Sequence, residues 1–347
     1  MIVDIFLPRL DVTFKPGPLP KKRGVVIPLR KYWSDFCNIL RHTHIQNGDK
    51  VRILEVPLWQ ITPSLVQSTS KEADLIYIPH KMKANWFLDN RVRYYMQMVI
   101  PSIFSIDKDG WCASASFSPI IKNSQTSTKI FNELKKRIKK NQSKFPQPTI
   151  QELDNFPKSY ILFPCQIPHD ETIRFHSDIG VEQALRVLLG WMVRYPSNYS
   201  LIVKGHPVNQ DAMKPLKQIY SDFLLNLSDT SQSHRFKWID QVSIHQLLSS
   251  ADAVATVNSG VGLEAILHQK KVFTFGNADY SSIATKIMYG GSLDNAIDNL
   301  QASMLIESNI SKEDYKKDCE AFIDAWYSEY YDVDNISTFS KLLKKNA

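Results

Sequence analysis

The sequence predicts an α/β protein built from two Rossmann-like, doubly wound domains. At 347 residues the chain is longer than the roughly 250–300 residues that one hydrophobic core organises. Short apolar runs alternate with helix-like segments, a pattern typical of parallel sheets covered by helices on both faces. The stretch "FPQPTIQELDNFP" (145–157) carries three prolines and indicates a linker. We therefore predict one domain over 1–150, a second over 157–310, and C-terminal helices over 311–347 that cross back over the domains.

The first half mixes predicted strands with predicted helices. Apolar runs bounded by turn residues predict strands for "IVDIFLP", "GVVIPL", "DKVRILEVPL" and "DLIYIPH". Apolar residues at helical spacing predict helices for "RKYWSDFCNILRHTHIQ" and, as far as Pro101, for "NRVRYYMQMVIPSIF".

The second half alternates more regularly. Strands are predicted for "SYILFPCQ", "YSLIVKGHP", "FKWID", "DAVATV" and "KVFTFG". The helices expected between them are "SDIGVEQALRVLLGWMVRYP", "DAMKPLKQIYSDFLLNL", "VSIHQLLSSA" and "GVGLEAILHQ". The chain after Ser311 is predicted to form two helices with no strand after them. Such a βαβ series places ligands beyond the carboxyl ends of the strands.

The net charge of +7 favours anionic partners. The densest basic run, Lys135 to Lys144, is best interpreted as a solvated helix face followed by a linker; the alternative is a weak peripheral contact with anionic lipid headgroups. No basic region has aromatic residues interleaved at regular spacing, so nucleic acid is not an expected partner.

Other compositional features indicate a cytoplasmic protein. No window of 18 consecutive apolar residues predicts a transmembrane span. The four cysteines are scattered without the spacing of metal ligands, so we expect reduced thiols and no metal site.

The turn Asn258-Ser259-Gly260 follows a predicted strand and opens a predicted helix. The amides of Gly260, Val261 and Gly262 are expected to be free donors at the helix N-terminus, where an anion binds. Glu264, one turn in, would accept hydrogen bonds from ribose hydroxyls. The alternative is a capping box, but that motif places its acid three residues after the cap, and Glu264 follows Ser259 by five.

Two further strand ends carry polar residues. Lys204 and His206 follow the strand in "LIVKGHP", and Pro207 favours an extended His206 that points out of the strand end towards a phosphate. The loop in "ILFPCQIPHDETIRFHS" (161–177) holds several polar groups, and a carboxylate there could act as nucleophile or general base. The alternative interpretations are a loop histidine without a role and a solvated loop in which Asp170 caps a turn.

Taken together, these segments resemble the capsular polysaccharide synthesis family, bacterial transferases of the GT-B fold that add β-linked Kdo, an eight-carbon ulosonic acid. The resemblance covers Tyr160 to Tyr280 and is softer in the first half, at "YIPHK", "YYMQ" and "IDKDGW". One departure is Gln269-Lys270-Lys271, where Gly-Lys-Pro is more usual. The matching positions are Gln166 and Asp170, His206-Pro207, Ser259-Gly260 with Glu264-Ala265, and "HQKKVFTFG".

The resemblance implies a retaining transferase that uses CMP-Kdo or a related CMP-ulosonate and extends a glycan or lipid-linked glycan of the bacterial surface. Asp170 is implied as the nucleophile, His206 as the group that stabilises the leaving phosphate, and Glu171 as an aid to the acceptor. Either Glu171 or His169 could position the acceptor or take its proton, and His80, Asp107 and Asp109 are equally open as that base. The family needs neither a cofactor nor a metal ion. The residues predicted to hold the nucleotide are Gln166, Lys204, His206, Asn258, Ser259, Gly260, Val261, Gly262 and Glu264.

Two other functions compete with this one. An inverting, sialyltransferase-like enzyme would use the same CMP site with Asp170 as general base. A non-catalytic protein that binds sugar nucleotides could serve as a scaffold in polysaccharide assembly.

Overall fold

The computed structural model describes residues 1–9, 27–57, 60–79, 89–117, 128–140, 143–145, 147–152, 156–195, 197–207 and 210–343, without the side chains of 27–30 and 139. The chain divides into two compact units, Met1–Phe117 with Tyr327–Ala347, and Ser118–Trp326. Each unit contains a six-stranded sheet, so the predicted class of two doubly wound α/β domains is confirmed. Among the described residues, no helix combines the length and the hydrophobicity that crossing a membrane requires.

The sheet of the first unit has the strand order β12-β5-β4-β3-β1-β2. Strands β2, β1, β3 and β4 are parallel, whereas β5 and β12 pair antiparallel at one edge. The elements of this unit are β1 (Ile2–Pro8), α1 (Ile27–Gln46), β2 (Lys50–Val56), α2 (Pro63–Thr69), β3 (Leu75–Pro79), β4 (Val92–Gln97), β5 (Ile103–Asp107) and β12 (Tyr331–Asp332).

Two predictions for residues 1–117 of this unit are wrong. Residues 27–29, predicted as the end of a strand, begin helix α1, and the preceding part of that segment lies outside the described residues. The segment predicted as a helix as far as Pro101 contains strand β4. Tyr94, Tyr95 and Met96 are all buried, so consecutive side chains on both faces of the strand are covered. A strand buried on both faces shows a continuous apolar run, which periodicity alone does not separate from a buried helix.

The sheet of the second unit is parallel throughout, in the order β11-β10-β9-β6-β7-β8. Its strands are β6 (Tyr160–Pro164), β7 (Ser200–Lys204), β8 (Phe236–Ile239), β9 (Ala253–Thr256), β10 (Lys271–Thr274) and β11 (Thr285–Lys286). Its helices are α3 (Thr128–Lys139), α4 (Glu171–His176), α5 (Val181–Arg194), α6 (Lys214–Leu225), α7 (Ile244–Ser250), α8 (Val261–Leu267), α9 (Leu293–Ser308) and α10 (Lys312–Glu329). All five strands predicted for this half are present, and β11 is an addition.

The core of this unit explains the regular pattern of its sequence. Every residue of β6, β7 and β9 is buried, which is why these strands read as continuous apolar runs. Helix α5 buries one face, including Leu188 and Trp191, against the sheet, and the Trp191 indole N–H donates to Gln301 Oε1 at 2.9 Å. The strand ends are therefore fixed by a rigid scaffold.

The division between the units differs from the predicted boundaries. Helix α3 belongs to the second unit because it packs on α8, with Lys135 Nζ donating to Gln269 Oε1 at 3.1 Å. Residues 327–347 belong to the first unit. After α10 the chain forms β12, which pairs with β5, and then a 3₁₀ helix over Ile336–Lys341. The prediction of a second C-terminal helix with no strand after α10 is therefore wrong.

Candidate nucleotide-binding site

Three predicted site segments meet at one edge of the second sheet. Strand β6 lies between β9 and β7, and all three run parallel, so their carboxyl ends lie side by side. Gln166 follows β6, His206 follows β7 and Asn258 follows β9. The structure therefore brings together the groups that the sequence placed at separate strand ends.

Gln166 and Asn258 bind each other. Gln166 Nε2 donates to Asn258 Oδ1 at 3.0 Å, and Gln166 Oε1 accepts from the Asn258 amide at 3.0 Å. Asn258 Nδ2 donates to the Thr172 carbonyl at 2.8 Å. Both side chains are buried, and these bonds join the ends of β6 and β9 to α4. Their observed role is to hold the strand ends together.

The turn before α8 corrects the prediction of three free amides. The Val261 amide donates to Ser259 Oγ at 3.2 Å, and the Gly262 amide donates to the Ser259 carbonyl at 2.9 Å. Ser259 thus accepts hydrogen bonds from two of the three predicted donors. Within the described residues, only the Gly260 amide of that trio has no acceptor.

Gly262 is required for packing against Tyr280. A Cβ atom at this position would lie 2.3 Å from Tyr280 Cζ. The Tyr280 hydroxyl in turn donates to the Ser259 carbonyl. The aromatic ring therefore braces the turn from the side of the protein core.

We expect Gly262→Ala to lower the free energy of unfolding by about 1–3 kcal/mol, the usual cost of overpacking a core. Thermal unfolding measures this loss. Gly180→Ala is the matched control, because a Cβ atom there meets Gln183 Oε1 at an ordinary 3.5 Å. Equal effects of the two substitutions would contradict the role assigned to Tyr280.

Asp170 caps a short helix that the sequence did not predict. Its Oδ1 accepts from the Thr172 amide at 2.9 Å and from the Thr172 hydroxyl at 2.7 Å, so the carboxylate begins α4. Within the described residues, its Oδ2 makes no hydrogen bond. Glu171, which follows Asp170 in the chain, is the first residue of α4 and is half-buried. The capping interpretation is confirmed, and it leaves one carboxylate oxygen of Asp170 available for chemistry.

His206 is a neutral imidazole at physiological pH. Burial lowers its pKa to about 4, the positive charge of Lys204 acts in the same direction, and the charge of Asp170 opposes both. Its ring meets Phe145 edge-on, with 5.3 Å between the centroids. A neutral imidazole can donate one hydrogen bond to a phosphate, but it brings no positive charge.

The ammonium of Lys204 is bound by carbonyl groups of the protein. Its ammonium donates to the carbonyls of Gly205 at 3.0 Å and Asp240 at 2.8 Å, and only 4% of the residue is exposed. Burial lowers the pKa of Lys204, and the negative charge of Asp240 opposes this shift without cancelling it. Lys204 therefore acts on the site through its charge rather than by contact.

Glu264 is buried, whereas the sequence placed it among ligand-facing groups. Its Oε1 accepts a hydrogen bond from the Ser143 hydroxyl at 2.7 Å and lies 3.8 Å from His245 Nε2. Burial raises the pKa of this carboxyl to about 7, and the Ser143 bond opposes the shift. A ribose hydroxyl that bound this oxygen would have to replace the hydroxyl of Ser143.

Four residues near the site escaped sequence reasoning: Ser143, Lys144, Phe145 and His245. The first three lie in stretches that were interpreted as a basic run and a linker, and no spacing in the sequence relates Ser143 to Glu264. His245 stands in an apolar helical pattern, and burial lowers its pKa to about 4.

The basic run does not form one solvated face. Lys135 bonds Gln269, and Arg137 pairs with Glu133 at 2.6 Å. Lys136 and Lys140 are exposed. The contact with anionic lipids stays a prediction. The basic run exposes fewer cations for it than a fully solvated helix face would.

The backbone of the turn after α8 shows why glycine is more usual at the position of Gln269. Gln269 has a φ of 58°, the left-handed region in which glycine is strain-free.

Among the described residues, no group of three histidine, cysteine, aspartate or glutamate side chains has the arrangement of a metal site. No disulfide joins the four cysteines, all of which are described.

The candidate acceptor bases of the first unit are partly described. Asp107 accepts from the Asp109 amide at 2.7 Å and from the Ser116 hydroxyl at 2.5 Å, so it organises its own turn. His80 lies outside the described residues.

Residues 121–285 match the sequence profile described as "Capsule polysaccharide biosynthesis protein". The matched stretch is a little under half of the chain. It contains every residue of the strand-end cluster described above, from Ser143 to Glu264. The resemblance drawn from Gln166, His206 and Ser259 is thus confirmed for the capsule polysaccharide biosynthesis family.

Two curated proteins are similar to part of this chain. "Capsule polysaccharide export protein KpsS" of Escherichia coli is 28% identical over 134 residues, covering 38% of this chain and 32% of that protein. "Protein FixF" of Sinorhizobium fredii is 24% identical over 169 residues, covering 48% of this chain and 38% of that protein. The similarity therefore spans only about a third of each relative's length.

Solved structures of Thermosulfurimonas dismutans KpsC are also similar. The one titled "beta Kdo 2,7 transferase" has a TM-score of 0.49 and 16% identity, covering 86% of this chain and 89% of that chain. The one titled "beta Kdo 2,4 transferase" has a TM-score of 0.45 and 14% identity, covering 75% and 85%.

Proposed function

We propose that the protein is a glycosyltransferase of capsule polysaccharide biosynthesis that transfers Kdo or a related ulosonic acid from a CMP-activated donor to a glycan or lipid-linked glycan. The observation that carries this proposal is that Asp170 and His206 follow the adjacent parallel strands β6 and β7, within the stretch that matches the family profile, and that their charges interact. Carboxylate and imidazole are the two groups that this chemistry requires.

In the proposed reaction, Asp170 Oδ2 attacks the anomeric carbon of the donor while the bond from that carbon to the phosphate oxygen breaks. CMP leaves with the electron pair of that bond. An acceptor hydroxyl then attacks the same carbon, loses its proton to a base, and displaces the carboxylate. Two inversions give retention of the anomeric configuration.

The leaving group is a nucleoside monophosphate, which needs charge stabilisation more than a strong acid. The His206 N–H is proposed to donate to the phosphate as charge develops. The turn at Ser259-Gly260 contributes the Gly260 amide. Glu264 remains proposed as a ribose ligand, on the condition that Ser143 releases it. The proposal includes no cofactor and no metal ion, and it places the protein in the cytoplasm.

A donor screen tests this function. CMP-Kdo, CMP-sialic acid and other CMP-ulosonates are incubated with acceptor, and CMP release is measured. Release from CMP-Kdo is the expected result, and a protein that binds CMP but releases none would support the scaffold alternative. The anomeric configuration of the product, read by NMR, separates retention from the inverting mechanism.

We expect His206→Ala to lower kcat by about 10²-fold while it changes the Kd for CMP little. Removing one donor aimed at developing charge costs about 3 kcal/mol of the barrier. Because the pKa of His206 is about 4, protonation of this ring should not alter kcat between pH 8 and pH 5. His234→Ala, an exposed histidine of the same unit, is the control. A His206→Ala variant with the wild-type kcat would leave the residue without a catalytic role.

A further inference from the structure

Three consecutive side chains of the second unit reach three predicted site residues. The Ser143 hydroxyl donates to Glu264 at 2.7 Å, and the Phe145 ring packs edge-on against His206 at 5.3 Å. Lys144 stands between them, and its charge interacts with those of Asp170 and His206. The segment Ser143–Phe145 is thus held at both ends against the edge of the sheet.

The ammonium of Lys144 is placed in the site without a bonding partner. It lies 6.0 Å from the centroid of the Phe145 ring, and it makes no hydrogen bond or ion pair with any residue that the structure describes. Burial lowers its pKa, and the nearby carboxylate of Asp170 opposes that shift. Lys144 is half-buried, so its ammonium is partly screened from water while its N–H groups are not taken by the protein.

The two lysines near His206 therefore differ in what they can contact. Lys204 directs its N–H groups at the carbonyls of Gly205 and Asp240. Lys144 has its donors available to a ligand, beside the imidazole proposed to meet the phosphate. An ammonium on a flexible stem is a common point-charge ligand of phosphate.

We propose that Lys144 binds the phosphate group of the nucleotide donor, so that the segment Ser143–Phe145 is part of the donor site. This inference rests on the proposed function. It also addresses an electrostatic problem of that function, because the carboxylate of Asp170 must approach a carbon bonded to a phosphate. Two anions a few ångströms apart repel, and a cation beside both offsets the repulsion.

Calorimetry with CMP and cytidine tests the proposal in three variants of the full chain. Lys144→Met keeps the apolar stem and removes the charge, so its Kd for CMP should rise about tenfold or more, the usual effect of losing a charged hydrogen bond. Its Kd for cytidine, which has no phosphate, should stay unchanged. Lys144→Arg should restore most of the affinity for CMP. Lys140→Met, at an exposed lysine a few residues earlier, is the matched control and should bind as wild type does.

Each other outcome has a definite meaning. If wild type binds CMP and Lys144→Met binds it equally well, the inference is overturned and the proposed function stands. Equal losses for CMP and cytidine in Lys144→Met would show a structural role for the segment and overturn the inference. If wild type binds neither CMP nor CMP-Kdo, the proposed function fails and the inference fails with it.

Discussion

Asp170→Asn is expected to lower transfer by about 10⁴-fold or more, the scale on which loss of a nucleophile acts. The amide is a poor nucleophile, but it is nearly the same shape as the carboxylate. Asparagine is also a good N-cap, so its side-chain oxygen can accept from the Thr172 amide as Asp170 Oδ1 does. The variant should therefore keep α4, its thermal midpoint and its affinity for CMP.

The cap makes the choice of substitution important. Asp170→Ala removes both the nucleophile and the cap, and losing a cap costs about 1 kcal/mol of stability. An inactive Asp170→Ala variant would not show whether activity was lost with the nucleophile or with local unfolding of α4. Asp178→Asn, at an exposed aspartate just after α4, is the matched control and should retain full activity.

Loss of activity alone does not separate a nucleophile from a general base. Intact-protein mass spectrometry after incubation with CMP-Kdo and no acceptor makes that distinction. Wild type should gain the mass of one ulosonic residue on the peptide that contains Asp170, and Asp170→Asn should gain none. An adduct on Glu171 would move the nucleophile by one position, and an inverted product without any adduct would exclude double displacement.

The sequence predicted the strand ends of the second unit because their residue types are dictated locally. Strands such as β6 and β9 are buried on both faces and appear as short apolar runs that stop at turn residues. Parallel pairing then places Gln166, His206 and Asn258 together without any knowledge of side-chain contacts. The class of the fold and the location of the candidate site follow from these facts alone.

The details of the site depend on contacts that no local pattern encodes. Val261 and Gly262 have the sequence of a helix N-terminus with open amides, yet Ser259 takes both of them. Gly262 is small because of Tyr280, which follows it by 18 positions in the chain. Ser143 reaches Glu264 across 121 positions, so its contribution depends entirely on tertiary packing. The sequence pattern of strand β4 predicts a helix for a related reason. Burial on both faces of the strand removes the alternation of apolar and polar residues that distinguishes a strand from a helix.

Glu264→Gln is expected to stabilise the protein at pH 8 and to change its stability little near pH 4.5. Burial holds the pKa of Glu264 at about 7, above the value of 4.5 for an exposed carboxyl, so folding favours the neutral acid. Stability from this group is complete below about pH 4.5 and is lost as the pH rises through 7. A shift of this size corresponds to a loss on the order of 3 kcal/mol, which glutamine, being neutral at every pH, does not suffer.

The measurement is the difference in unfolding free energy between Glu264→Gln and wild type from pH 4.5 to pH 8. Neighbouring His245, whose pKa is lowered, makes the stability of both proteins fall in the opposite direction, as the pH drops below 6.5, so its contribution is distinguished by its sign. Glutamine can still accept from the Ser143 hydroxyl through its Oε1, so the substitution changes the charge and keeps the bond. Glu182→Gln, at an exposed glutamate of α5, is the matched control and should give a difference that does not vary with pH. If the difference for Glu264→Gln is equally flat, the carboxyl is ionised throughout this range. Burial would then not be what governs its titration.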